Sequence, residues 1–220
     1  MDGKLIVIEG ACDGIGKTTQ YKKLKEKLEK EGNRVVSHHF PTYDSYQGLG
    51  AVNYLKGEFG KKEDLPAYFI NNLYASDRAI TWYSKLKKEY ENGSIVLLDR
   101  YTTSTLIYQS ALIEDLEERK KFIDYVIDYE YNKLKIKSPD KVIFLFADFD
   151  VITEIRNKRK VNEGVVSDIH ETDIDFMKKV YDNAIFVANY LKWDYVNCTL
   201  ENKMRTEEEI HEDICKLILK

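Results

Sequence analysis

Proline, cysteine and tryptophan are scarce in this chain, with three, three and two copies among 220 residues. Cys12, Cys198 and Cys215 form an odd set with no CxxC spacing, which argues against a disulfide framework and against a zinc site. A reducing compartment suits that usage, and the cytoplasm is the expected location. Histidine is also sparse, and the adjacent His38 and His39 would point to opposite faces of a strand, a poor arrangement for a shared metal. No apolar run approaches the roughly 18 residues of a membrane span. The first apolar segment, residues 5–8, leads into a glycine-rich turn, unlike a signal peptide, so no membrane association is expected. Neither charge sign dominates: 34 basic and 38 acidic residues leave a net charge of -4, without the basic footprint of a nucleic-acid-binding domain. A small anionic ligand needs only a local basic pocket. Repeats and Ser/Gly-rich linkers are missing too, so residues 1–220 read as one domain.

What is present alternates. β-rich runs at residues 4–9, 34–39, 94–98, 141–146 and 194–198 are separated by helix-like sequence, which implies a parallel sheet covered on both faces. Tyr21, Leu24 and Leu28 recur at helical spacing before a Gly32-Asn33 stop, and Thr206 with Glu209 has capping-box spacing ahead of Ile210, Ile214 and Leu217. Residues 66–90 and 116–137 are long enough for two further helices.

The strongest chemical signal is Ala11-Cys12-Asp13-Gly14-Ile15-Gly16-Lys17-Thr18, followed by Thr19, a P-loop pattern between a strand and an amphipathic helix. Small residues there let backbone N–H groups approach phosphate oxygens, and the helix N-terminus adds partial positive charge. Lys17, on a solvent-facing loop, is expected to reach the β- and γ-phosphates of ATP, and Thr18 to give its hydroxyl to Mg²⁺. The fold expected is therefore a three-layer α/β P-loop NTPase, a five-stranded parallel sheet flanked by helices. Such a loop serves GTPases, motor ATPases and small-molecule kinases alike.

A second signal is the apolar strand ending in Asp99-Arg100. At the carboxyl end of a parallel strand Asp99 would face the ligand crevice as a Mg²⁺ ligand, and Arg100 would clamp a phosphate; a surface ion pair is the plain alternative. Tyr74 and Arg78 lie four apart on one helix face, an aromatic plane beside a guanidinium that suits a nucleobase. Ser104, Thr105 and Tyr108 follow the clamp, where they can read a base edge and a sugar. Arg156, Lys158, Arg159 and Lys160 precede a polar segment ending at Asp168-Ile169-His170-Glu171, a charge run that as a rule is a solvated helix end.

Taken together, Glu9-Gly10 before the loop and Thr18-Thr19-Gln20 after it, Phe40-Pro41, Tyr74-Ala75-Ser76-Asp77-Arg78, and Asp99-Arg100-Tyr101 with Ser104-Thr105 and Tyr108-Gln109 resemble the thymidylate kinase family, in family order. The resemblance implies ATP-dependent phosphorylation of dTMP to dTDP by a homodimer, with ATP held by residues 10–19. It implies that Asp13 sits near the sugar 3′-hydroxyl and acceptor phosphate, Arg100 grips that phosphate, and Phe40 lines the dTMP pocket. Tyr74 would stack on thymine, Arg78 bond the base, Ser104 and Thr105 meet its edge, and Tyr108 crowd the 2′ position. It also implies a small mobile lid, about residues 156–171, supplying the transition-state arginine as Arg159 or Arg156. The chain departs from the family pattern twice: Ala11 and Cys12 both intervene between Glu-Gly and Asp-Gly where one residue is usual, and Thr105 stands where some members carry a longer asparagine. The rival readings are a deoxynucleoside kinase, disfavoured by Asp-Arg-Tyr, and a nucleotide-binding regulator without activity, suggested by the altered loop.

Overall fold

Residues 5–8, 96–98 and 143–145 are apolar on both faces of their strands, so the strands they form belong in the middle of a sheet covered on both sides. The structure, a computed structural model, describes residues 3–163 and 174–218, and side chains throughout these except those of Glu63 and residues 158–163. Its elements in chain order are β1 (Lys4–Gly10), α1 (Lys17–Lys30), β2 (Val35–His39), α2 (Leu49–Leu55), α3 (Ala67–Thr81), α4 (Lys87–Glu91), β3 (Ile95–Asp99), α5 (Thr102–Tyr108), α6 (Leu116–Ile127), β4 (Lys141–Phe146), α7 (Phe149–Glu163), α8 (Ile174–Tyr190), β5 (Asp194–Asn197), β6 (Thr199–Leu200), β7 (Lys203–Met204) and α9 (Glu207–Ile218).

The main sheet has the order β2-β3-β1-β4-β5, all parallel. Alternation along β1 divides its side chains between two cores. Ile6 and Ile8 join Leu24 and Leu28 of α1 and Ile210 and Ile214 of α9, whereas Leu5 and Val7 join Trp82, Leu86, Val96 and Tyr101. Register sets Ile8 and His39 beside Asp99, and Gly10 beside Leu145, so the carboxyl ends of β1, β2 and β3 open on one edge. That edge is where doubly wound sheets bind ligands.

The expected five-stranded α/β architecture is present, and the local signals explain its limits. Gly32 takes a positive φ of 84° just after α1, and the Thr206–Glu209 box closes on α9, with the Glu209 N–H donating to Thr206 Oγ1 at 3.3 Å and the Thr206 N–H donating to Glu209 Oε2 at 2.9 Å. Three details differ from expectation. Residues 66–90 form α3 and α4 joined by a π-helical turn at Trp82–Leu86, and the helix expected over 116–137 is α6 plus a π-helical segment, Asp128–Lys133. It stops early because Lys135 adopts a φ of 53° that turns Ile136 into the core. The β6–β7 hairpin turns through Glu201 and Asn202, both at positive φ, a left-handed pair that this dipeptide does not announce. Among the described residues no helix is long and apolar enough to cross a membrane. Of the expected lid, Arg156 lies on α7 and is described; the Arg159 side chain and residues 164–171 lie outside the described residues.

Candidate active site

The chain leaves β1 through a loop whose backbone only glycine accepts easily. Gly14 and Gly16 both have φ near 93°, and a Cβ on Gly14 would also stand 2.9 Å from Cγ of Arg156. The extra residue relative to the family pattern is absorbed inward. Ala11 continues β1 by donating its N–H to the Leu145 carbonyl, and Cys12 is buried, its thiol pushed up to about 12 by burial and by the neighbouring Asp13.

Asp13 is the hub of the loop. It accepts from Lys17 Nζ at 2.9 Å and from Arg100 Nη2, and the Tyr108 hydroxyl lies 3.4 Å from its other oxygen. Burial raises its pKa, but Arg100 and Lys17 outweigh that and hold the carboxyl well below the usual range. Lys17 differs from expectation: it opens α1 and is only 7% exposed, its ammonium tethered to Asp13 instead of reaching into solvent. Thr18, next along, is exposed.

Asp99 ends β3 and Arg100 follows it directly. Arg100 holds a φ of 67°, an uncommon conformation for a side-chain-bearing residue, which aims its guanidinium back over the loop. Asp99 accepts from His39 Nδ1 at 3.1 Å through one oxygen, while the other, Oδ1, is buried with no partner among the described residues. Burial raises its pKa, yet His39, Lys17 and Arg100 together keep it ionised below the ordinary value. An ionised, half-satisfied carboxylate ending β3 and an exposed hydroxyl, that of Thr18, in the first turn of α1 make a donor set that suits a hard cation such as Mg²⁺.

Asp13, Phe40, Tyr74, Arg78, Arg100, Ser104, Thr105 and Tyr108 all line one cavity of about 280 Å³. Two arginines of different character line it, Arg100 tied to the P-loop through Asp13 and Arg78 tied to Glu130. The Arg100 guanidinium stands over the Tyr108 ring and beside Ser104 and Glu9. Ser104 donates its proton to Glu9 Oε2 at 2.6 Å, as Thr103 does at 2.9 Å, so Ser104 faces the clamp as well as the cavity. Arg78, 1% exposed, forms a two-pronged ion pair with the fully buried Glu130, at 2.7 Å from Nε and 2.6 Å from Nη2. Nη2 also donates to Thr105 Oγ1 at 3.0 Å, which ties the short Thr105 side chain to the arginine.

Motif and spacing give no role to Glu9, Gln109, Glu130 or Met177. Gln109 and Met177 also line the cavity, and Gln109 is 2% exposed with no side-chain hydrogen bond to a described residue. Glu130 carries a readable sign: it follows the buried Phe122 and Val126 at successive intervals of four, a carboxylate where the helical stripe calls for an apolar residue. Met177 comes from α8, and nothing local marks it.

A family model for thymidylate kinase matches residues 8–214. A probable thymidylate kinase of Thermococcus onnurineus is 31% identical over 218 residues, spanning 97% of this chain and 96% of that protein. A thymidylate kinase of Nostoc punctiforme is 31% identical over 194 residues, 86% of this chain and 85% of that one. A solved thymidylate kinase from Candida albicans has the same fold, with a TM-score of 0.74 at 21% identity over 99% of this chain and 92% of that one. With that match running from β1 into α9, and with a P-loop and a two-arginine cavity at one sheet edge, the chain belongs to the thymidylate kinase family of phosphotransferases.

Proposed function

We propose that the chain transfers the γ-phosphoryl group of ATP to dTMP, giving dTDP and ADP. The observation that carries this reading is one cavity lined both by a phosphate-type arginine, Arg100, tied to the P-loop through Asp13, and by a neutralised, hydrogen-bonding arginine, Arg78. A nucleoside monophosphate fits that polarity, phosphate toward Arg100 and base toward Arg78, with Tyr74 and Phe40 as apolar walls. Gln109 adds an unspent amide for the base, and Tyr108 stands beside the sugar end.

The acceptor needs no strong base, because its phosphate has a second pKa of about 6 and is largely dianionic at neutral pH. One of its oxygens attacks the γ-phosphorus while the bond to the β–γ bridging oxygen breaks and ADP leaves. The obstacle is repulsion between two anions. Lys17 and Arg100 already share Asp13, so an incoming phosphate meets two positioned cations, and Arg156 over Gly14 brings a third to the loop. Asp13 gathers the two cations on one carboxylate oxygen and keeps them in place until the phosphates replace it. Thr18 and Asp99 would hold Mg²⁺, which when bound neutralises part of the triphosphate charge. We place the enzyme in the cytoplasm as a homodimer; Phe69, Ile80 and Tyr83 form an exposed apolar stripe along α3 and the turn after it that supports such an interface.

A coupled ADP-release assay offering dTMP against thymidine tests the reading. Turnover with dTMP and none with thymidine is expected; turnover with thymidine alone would make the chain a deoxynucleoside kinase, and ATP binding without transfer to any monophosphate would make it a regulator. Sedimentation at micromolar concentration tests the dimer.

A further inference from the structure

Arg78 has five N–H donors and the fold uses three of them internally. Nε and one Nη2 hydrogen go to the two oxygens of Glu130. The second Nη2 hydrogen lies between Thr105 Oγ1, at 3.0 Å, and Asn71 Oδ1, at 3.4 Å. Among the described residues only the Nη1 edge is left without a hydrogen bond, and Arg78 lines the cavity. Glu130 is itself held: Thr102 Oγ1 donates to its Oε2 at 2.9 Å, and the carboxylate is fully buried at the end of the α6 stripe.

We infer that Glu130 is the positioning residue for base selection: its two-pronged grip fixes the Arg78 guanidinium so that a single, charge-compensated pair of N–H donors faces the base. Two consequences follow from chemistry alone. A rigid donor edge donates to a ring carbonyl oxygen and is mismatched to an exocyclic amino group, so it favours thymine over cytosine. And because Glu130 cancels the Arg78 charge at 2.6 Å, the base end of the cavity does not compete with Arg100 for the phosphate. A guanidinium released from Glu130 keeps its charge but loses its aim. The inference rests on the assignment of Arg78 to the base.

The test is a selectivity cycle on the whole enzyme. Steady-state kinetics with dTMP and dCMP are measured for wild type, Glu130→Gln, Arg78→Lys and the double variant, with circular dichroism to confirm folding. In Glu130→Gln the KM for dTMP should rise and the dTMP preference over dCMP, as a ratio of kcat/KM, should fall roughly ten-fold, while kcat and the KM for ATP change by no more than about two-fold. In the Arg78→Lys background, where one ammonium cannot serve both Glu130 and the base, adding Glu130→Gln should cause no further loss of preference. Thr102→Val, which removes one donor to Glu130 and leaves the ion pair, should move the preference the same way by about two-fold, and decides the matter if Glu130→Gln does not fold. An unchanged preference in folded Glu130→Gln, or in Thr102→Val where it stands in for it, or an equal loss from Glu130→Gln in both backgrounds, overturns the inference. If instead Arg78→Lys alone leaves the preference intact, the fault lies with the assignment of Arg78 to the base.

Discussion

The guanidinium of Arg100 lies 5.4 Å from the centre of the Tyr108 ring while its Nη2 contacts Asp13, which in turn holds Lys17. A cation seated on an aromatic face and tied to a carboxylate has little freedom left to lose when a phosphate arrives. The positive φ of Arg100 belongs to the same arrangement, since it turns the side chain toward the loop.

Arg100→Lys should therefore be severe. Lysine keeps the charge but not the planar fork, and a charge-assisted hydrogen bond contributes about 1.5–3 kcal/mol, so dTMP binding should weaken roughly ten-fold or more. Calorimetric titration with dTMP, thymidine and ATP should show the loss for dTMP alone. Equal weakening of dTMP and thymidine would mean that Arg100 shapes the cavity without gripping the phosphate.

Lys17→Ala should lower turnover roughly 100-fold or more, because in the proposed reaction its ammonium passes from Asp13 to the transferred phosphoryl group. Its burial raises the question of fold, but Asp13 retains Arg100 as a partner, so the unfolding midpoint should fall by only a few degrees, the size of a ~1 kcal/mol loss. A collapse of the midpoint would make Lys17 a structural residue first.

Arg156 stands at Gly14, close enough that a Cβ there would meet it. Arg156→Ala should cut kcat by roughly 1,000-fold with little change in the KM for dTMP, as loss of a transition-state arginine does. Arg159→Ala, measured in parallel, is expected to be the milder change, and the reverse order would transfer the role to Arg159.

His38 gives the fold a dependence on mild acid. Burial lowers its pKa to about 4, with Lys85 and His39 adding to the effect and Asp77 opposing it. The unfolded chain takes up this proton near pH 6.5, the folded one only near 4, so stability present above pH 6.5 declines as pH falls between the two, by up to about 3 kcal/mol and by less where solvent screens the part-exposed ring. Asp13 and Asp99, whose pKa values are depressed, keep their contribution through this window and lose it only below about pH 4. Urea unfolding across pH 4–7 should show a flatter profile in His38→Gln, and an unaltered slope would assign the loss to another group.

The P-loop, the strand ending in Asp99-Arg100 and the five apolar runs are contiguous, and their meaning rests on spacing along the chain, which is why the amino-acid sequence alone makes them legible. A period of 3.6 or 2 and a glycine at a turn are local physics. The π-helical segment at Asp128–Lys133 and the early end of α6 are not legible in that way, because the burial of Ile136 decides them from a distance.

By itself the amino-acid sequence determined the sheet and the loop, and with the family resemblance it named Phe40, Tyr74, Arg78, Arg100 and Tyr108, which meet in the cavity, though not His39 or Tyr43, which line it too. Only the tertiary structure decided what each of those side chains has left to offer a ligand. Arg78 and Glu130 are 52 positions apart, and Ser104 and Glu9 are 95 apart, so no pattern along the chain pairs them. They pair because burial makes an unmatched charge or hydroxyl costly, and each buried group therefore spends its hydrogen bonds on whichever partner the packing brings within reach.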